Sequence, residues 1–309
     1  MTIASTNPPS SWRAAQVFLA RQDMKFGRWK EKSLHRGNLH SNAPVVGNER
    51  VHVSLTTHGQ RIATTYLAIE SIADGQSLPA RLILWLDDAR LFDNLPDSLR
   101  RLQDRGLEVH LTENFGPHTK YYPYLLSTDS LDVPLVIADD DVMYSRWWLA
   151  GLANAWRQNP AVVSCWRAHV VPVKNGVIQP YRTWNPCTST VPRYRHFATG
   201  VAGCIYPPAL LQGLKAEGSA FVEVCPRADD IWLHANALRN GFAIRQILRQ
   251  SLNFPGVRDT QDTGLCRTNT VSGNDEQVRN TYTSEDIAQI DLPDGTSAAA
   301  IVRSGECLS

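Results

Sequence analysis

The sequence predicts an α/β domain built on a mainly parallel central sheet, and three observations carry that expectation. From 50 to 138, short apolar runs alternate with helical patterns, the order that builds βαβ units. Two of the runs, RLILWL (81–86) and PLVIA (134–138), are continuously apolar, as strands covered on both faces must be. An acidic triplet, Asp139, Asp140 and Asp141, follows the second run, at the carboxyl end where open α/β sheets bind ligands.

The bulk numbers narrow the class. The chain has 309 residues, and its 31 Lys and Arg balance 30 Asp and Glu, so no net field points to nucleic acid. The six cysteines are scattered without a CxxC pair and read as reduced thiols. No run reaches the roughly 20 apolar residues that span a bilayer, and the first residues lack a secretory apolar region. A cytoplasmic chain is expected.

Residues 1–48 read as a basic arm. The first fifty residues hold eight Lys and Arg against three acids, and a helix is expected over 11–32, with Trp12, Val17, Phe18 and Phe26 as its apolar positions. The preferred reading is an arm packed on the main domain. The other is a basic amphipathic helix resting peripherally on the inner, anionic face of a membrane.

The main domain is expected over 49–275. VHVSLTT (51–57) is a strand. RIATTYLAIESIADGQ (61–76) is a helix, with Ile62, Tyr66, Ile69 and Ile72 at helical spacing and Gly75 as its stop. After strand 81–86, PDSLRRLQDRG (96–106) is a helix bounded by Pro96 and Gly106. LEVHL (107–111) is a strand, 119–129 a helix and 134–138 a strand. RWWLAGLANAWRQNP (146–160) puts Leu149, Leu152, Ala153 and Trp156 on one helical face. AVVSCW (161–166) is a strand, and 170–181 a hairpin turning at Asn175-Gly176. Residues 181–200 read as an aromatic, basic loop. GVAGCIYP (200–207) is a strand, 207–218 and 227–241 are helices, and FAIRQIL (242–248) is a last strand. From Arg249 the chain reads as irregular, with 276–309 a polar tail.

Three adjacent aspartates repel one another unless something neutralises them. The D-x-D spacing lets Asp139 and Asp141 share one side of an extended segment while Asp140 points away. Two such carboxylates suit Mg²⁺ or Mn²⁺ completed by substrate phosphates. A solvated loop capping the next helix is the plain alternative. A second acidic pair, Asp229 and Asp230, opens the helix at 227–241, where helix-dipole stabilisation competes with a catalytic role.

The order of VSLTTHGQRI, LPARLILWLDD, GPHTKYYPYL, VIADDDVMYSRWWLAGL, TGVAGCIYPP and PRADDIWLHANALRNG resembles the GT-A glycosyltransferases, in particular the bacterial polysaccharide-type, family-2-like enzymes, over roughly 50–275. That resemblance implies a GT-A fold and a nucleotide-sugar donor. It puts the nucleotide against Thr56, Thr57 and His58. Arg61 either reaches a phosphate or is a surface charge. Asp88, beside Asp87, either faces the nucleoside or caps a turn. Lys120 offsets diphosphate charge, and Tyr122 stacks on a base or fills the core. Asp139 and Asp141 are the implied metal pair, with Asp140 near substrate. Asp230, ahead of Asp229, is the implied base toward an acceptor hydroxyl. Thr199 and Gly200 let a sugar approach the backbone, or form a tight turn. Arg182, Trp184, Arg193, Tyr194, Arg195 and His196 form the acceptor-facing loop, on a glycan or lipid-linked acceptor.

The chain has no histidine after His234 to serve as a late metal ligand, so Asn274 or Asp275 is the expected substitute. The implied activity is inverting sugar transfer in surface polysaccharide synthesis. Two other readings compete: an aspartate-nucleophile phosphotransferase, whose D-x-D-x-T/V motif is broken here by Met143, and a non-catalytic sugar- or nucleotide-binding domain.

Overall fold

The computed structural model describes residues 27–257 and 273–293. Seven strands form one sheet in the order β12-β5-β11-β4-β1-β2-β3. They are β1 (Glu49–Thr57), β2 (Pro79–Leu86), β3 (Leu107–Leu111), β4 (Leu135–Ile137), β5 (Val162–Cys165), β11 (Cys204–Tyr206) and β12 (Ala243–Gln246). All pairings are parallel except those of β11, which runs antiparallel to β4 and β5. Helices cover both faces, so the expected α/β layer with a mainly parallel sheet is observed.

The alternation of β2 shows why its run is continuously apolar. Leu82, Leu84 and Leu86 pack on one face with Val53, Leu55, Ile69 and Ile72. Ile83 and Trp85 pack on the other with Tyr121, Leu125 and Ile137. At about 25 cal/mol per Å² of apolar surface removed from water, these two faces are the main source of stability.

The hairpin forms between β7 (Val173–Lys174) and β8 (Val177–Ile178). Asn175 and Gly176 turn it with φ of 52° and 72°, the left-handed pair that two-residue hairpin turns require. Gly203, before β11, has φ 91°, and a Cβ there would lie 2.4 Å from the Trp148 indole nitrogen.

Four segments differ from the sequence expectation. The N-terminal helix is α1 (Gly27–His40), running beyond Lys32; the expected apolar positions Trp12 to Phe26 lie outside the described residues. α1 packs on the domain: Leu34 is buried with Leu67 and Met143, Lys30 donates to the Tyr144 carbonyl, and Asn38 Nδ2 donates to Glu70 at 2.9 Å. The helix expected over 119–129 is a 3₁₀ turn (Gly116–Lys120) followed by a short helix (Tyr122–Leu126), because Gly116, Pro117 and Pro123 interrupt the repeat. The loop at 181–200 contains β9 (Asn185–Pro186) and β10 (His196–Ala198), which flank β6 (Ala168–Val170) in a second sheet. The irregular region after Arg249 contains two helices, Asn274–Thr281 and Ser284–Ile290. They bury Val278, Tyr282 and Ile290, and the second opens on a Thr283/Asp286 capping box. Among the described residues, no helix is long and apolar enough to cross a membrane.

Candidate active site

The sheet reverses its winding between β1 and β4. β2 and β3 extend from one side of β1, and β4 pairs on the other, with Ser54 opposite Ile137. Such a switch point opens a crevice at the carboxyl ends of the strands. The structure brings Thr57, from the end of β1, and the acidic triplet, just past β4, to these carboxyl ends.

Each aspartate of the triplet has different partners. Asp140 is buried: Thr57 Oγ1 donates to its Oδ2 at 2.6 Å and Arg61 Nη1 to its Oδ1 at 2.7 Å. Thr65 Oγ1 supports Thr57 from behind, donating to its hydroxyl at 2.8 Å. Arg61 Nη2 also donates to Asp141 Oδ2 at 2.5 Å. The Asp139 backbone N–H donates to the Tyr144 hydroxyl at 2.7 Å, and Asp139 Oδ1 lies 2.5 Å from Lys120 Nζ. Asp139 and Asp141 keep 17% and 18% side-chain exposure against 5% for Asp140, the alternation that D-x-D spacing predicts.

The second acidic pair lies in the first turn of the helix Asp229–Arg239. Lys120 Nζ lies 3.6 Å from Asp229 Oδ2, so one ammonium joins both acidic groups. Asp230 faces elsewhere: its Oδ1 accepts from the Gly200 N–H at 2.9 Å. The Lys120 backbone is fixed from below, with Ser54 Oγ donating to its carbonyl at 2.6 Å and Trp85 Nε1 donating to Ser54 Oγ at 2.9 Å. His118 fastens the chain before Asp229. Its Nε2 donates to the Cys225 carbonyl at 2.7 Å, the Tyr121 hydroxyl bonds its Nδ1 at 2.9 Å, and its ring stacks on Phe221 at 4.0 Å. Burial lowers the His118 pKa to about 4, so the imidazole is neutral.

Four carboxylates therefore share two cations, Arg61 and Lys120, and Asp230 stands beside them on the Gly200 N–H. Burial opposes the Lys120 charge, but Asp139, Asp229 and Asp230 outweigh it and raise its pKa well above the usual lysine value. Burial raises Asp140 to about 6 against the pull of Arg61 and the Thr57 hydrogen bond. Burial and the neighbouring Asp139 charge raise Asp141. Asp230 is raised furthest of these carboxyls, to about 8, by burial and the adjacent Asp229 charge. Carboxyls with raised pKa values in a crevice mark a functional-site candidate.

The remaining expected residues divide. Thr56 Oγ1 donates to the Trp85 carbonyl at 3.0 Å, and His58 is exposed. Asp88 caps the helix Ala89–Asp93, accepting from the Arg90 and Leu91 N–H groups, which is the turn-cap reading. Tyr122 is buried edge-on to Phe115 at 4.9 Å and Phe221 at 5.0 Å, so it fills the core. Thr199 is buried and its N–H donates to the Arg167 carbonyl at 3.1 Å. Of the basic, aromatic loop, Trp184, Tyr194 and His196 are buried and Arg182 is exposed. Asp275 Oδ1 accepts from the Tyr181 N–H at 2.7 Å. The ligand-substitute role expected of 269–275 falls partly outside the described residues.

Sequence reasoning missed Tyr144, Thr65 and Ser54, which hold the acidic groups and Lys120 in place. Tyr144 is fully buried, stacks on Trp148 at 4.2 Å, and its N–H donates to Ser71 Oγ at 2.8 Å. Nothing local in the sequence marks these contacts.

Among the described residues, His, Cys, Asp and Glu assemble no group of three that could hold a metal unaided. The pair Asp139 and Asp141 does fit a cation held jointly by protein and substrate, as Mg²⁺ and Mn²⁺ often are. Asp139 Oδ1 is buried, and its partner is the Lys120 ammonium 2.5 Å away.

No protein-family model matches the chain, and no curated protein matches it. Solved structures show distant likeness. A CMP:2-keto-3-deoxy-manno-octonic acid synthetase complexed with CTP is 14% identical over 75% of this chain and 100% of its own, with a TM-score of 0.42. The mannosyltransferase PcManGT from Pyrobaculum calidifontis, in complex with GDP-Man and Mn²⁺, is 15% identical over 97% of this chain and 87% of its own, with a TM-score of 0.47. S. aureus TarS is 16% identical over 63% of this chain, which spans 58% of that one, with a TM-score of 0.41. These likenesses are too distant to assign a family, and the functional reading rests on the side chains of this chain.

Proposed function

We propose that the chain is a GT-A-type, metal-dependent, inverting glycosyltransferase that moves a sugar from a nucleotide-sugar donor to a glycan or lipid-linked acceptor. The observation that carries the reading is the gathering of five carboxyl groups, four of them paired to only two cations, at the β1/β4 switch point. An acidic excess of this kind, half-buried, calls for a bound cation.

In this reading Asp139 and Asp141 hold Mn²⁺ or Mg²⁺ together with the donor diphosphate. The cation, when bound, stabilises the nucleoside diphosphate as the glycosidic bond breaks. Thr57 and Arg61 clamp Asp140, which fixes the triplet, so Asp140 supports the site rather than touching substrate. Lys120 exchanges part of its contact with Asp139 for the diphosphate. Asp230, held by the Gly200 N–H, takes the proton of the acceptor hydroxyl. Its raised pKa suits a base that works near neutral to mildly alkaline pH. Asp229 keeps Lys120 in place. A role in surface polysaccharide synthesis, and a peripheral membrane contact through the basic N-terminal segment, belong to the same proposal. In support of the latter, α1 leaves Trp29, Lys32, Arg36 and Leu39 exposed.

The test is release of nucleoside diphosphate from a panel of UDP-, GDP-, CDP- and dTDP-sugars, with Mn²⁺, Mg²⁺ or EDTA. Metal-dependent release from one donor, lost in Asp230→Asn, is the expected result. No release with any donor and acceptor mixture would favour a non-catalytic binding domain.

A further inference from the structure

Beside this site lie two basic groups that nothing in the proposed mechanism uses. Arg167 immediately precedes β6, and its carbonyl accepts from the Thr199 N–H at 3.1 Å, extending the antiparallel ladder that pairs Ala168 with Ala198. Directly opposed residues of such a ladder project to the same face. Arg167 therefore shares a face with Thr199, and Thr199 adjoins Gly200, whose N–H holds Asp230. With period-2 alternation, His169 lies on the same face as Arg167, opposite Phe197.

Among the described residues, neither the Arg167 guanidinium nor His169 Nδ1 has a partner. The Arg167 guanidinium is half-buried and makes no hydrogen bond or ion pair with the described residues. His169 Nδ1 is buried without a hydrogen bond. Withdrawing a cation from water without a counter-charge is costly, and so is leaving a buried ring nitrogen unmatched. Burial and the Arg167 charge lower the His169 pKa, which favours the neutral ring. A rigid guanidinium fork with an imidazole N–H two positions along the same face suits a group with several terminal oxygens.

We infer that Arg167 and His169 form an anion subsite for a phosphoryl group carried by the acceptor. The inference rests on the proposed transferase reading and deepens it. Arg167 lies opposite Thr199, one residue from the Gly200 that holds Asp230, with His169 two residues further along the ladder, whereas the diphosphate of the donor is assigned to Lys120, Asp139 and Asp141. The acceptor class is then a phosphate ester, such as a sugar phosphate or a lipid-linked phosphate, rather than a neutral glycan.

The experiment is calorimetric titration of inorganic phosphate and phenyl phosphate into wild type, Arg167→Ala, Arg167→Lys and His169→Ala. The four nucleoside diphosphates with Mn²⁺ are titrated in parallel, and melting curves confirm that each variant folds. Arg167→Ala is expected to weaken phenyl phosphate binding at least tenfold and His169→Ala severalfold. Arg167→Lys restores part of the loss, and nucleotide affinity stays within twofold. Equal phenyl phosphate binding in wild type and Arg167→Ala overturns the inference. So does a tenfold loss of nucleotide affinity in Arg167→Ala, which would move Arg167 to the donor side. If wild type binds no nucleotide, the transferase reading fails, while the phosphate titrations still decide whether the anion subsite exists.

Discussion

The backbone N–H of Gly200 donates to Asp230 Oδ1 at 2.9 Å, and a Cβ on Gly200 would lie 3.1 Å from that same oxygen. A side chain on Gly200 would therefore press on the oxygen that its N–H holds. Gly200→Ala is expected to tilt the carboxylate and lower kcat by one to two orders of magnitude, with a small effect on nucleotide binding. Steady-state kinetics against a nucleotide titration separates the two.

Asp230→Asn is expected to lower kcat/KM by a factor on the order of 10²–10⁴, the contribution of a positioned base. The same substitution should stabilise the free protein in a pH-dependent way. The folded-state pKa of Asp230, about 8, lies above its unfolded value, so folding takes up a proton between those two points. Stability contributed by this carboxyl is present at low pH and is lost as pH rises toward 8. The advantage of Asp230→Asn over wild type in melting temperature should therefore grow from pH 5 to pH 8. A constant difference across that range contradicts the assignment of a raised pKa. In wild type, kcat/KM should rise with pH through about 8.

Lys120 lies between Asp139 and Asp229, at 2.5 and 3.6 Å. Lys120→Met leaves two carboxylates facing each other with no cation. It is expected to destabilise the protein by about 3 kcal/mol, the usual scale for breaking a buried ion pair. Adding Asp139→Asn should recover part of that loss. Urea unfolding of the two single variants and the double variant measures the coupling, and strict additivity would contradict it.

On α1, Trp29, Lys32, Arg36 and Leu39 are exposed, while Lys30, Leu34 and Asn38 face the domain. Lys32→Glu/Arg36→Glu should leave stability within about 0.5 kcal/mol, as surface changes do. It should also abolish flotation with phosphatidylglycerol vesicles, if the segment docks on an anionic surface. Unchanged flotation would remove the membrane contact from the proposal.

β2 and β4 were legible because each lies in a continuous apolar run, the pattern that burial on both faces imposes. The acidic triplet was legible as charge at the end of such a run, and Lys120 only through the resemblance of GPHTKYYPYL. Tyr144 was not, because its hydroxyl, N–H and carbonyl meet Asp139, Ser71 and Lys30, contacts made by folding and not by spacing. The three-residue strands β6 and β10 were hidden for the same reason: strands this short exist only through pairing across some thirty residues of chain. The C-terminal helices read as tail because their outer faces are polar, and few apolar residues, chiefly Val278, Tyr282 and Ile290, anchor them to the core. Asp88 has two readings in the sequence, a nucleoside contact or a turn cap, and the structure shows it making the cap.

The measurement that tests the account most directly is a thermal-shift panel of UDP, GDP, CDP and dTDP with Mn²⁺, Mg²⁺ or EDTA. It is run on wild type and on Asp139→Asn/Asp141→Asn. A ligand that binds only the folded state raises the midpoint by mass action, about 2.7 kcal/mol of stability at a hundredfold excess over Kd. The account predicts that one nucleotide stabilises wild type only with a divalent cation, and that the double variant loses the effect while remaining folded. No shift with any nucleotide under any metal condition, or an equal shift in the double variant, would contradict it.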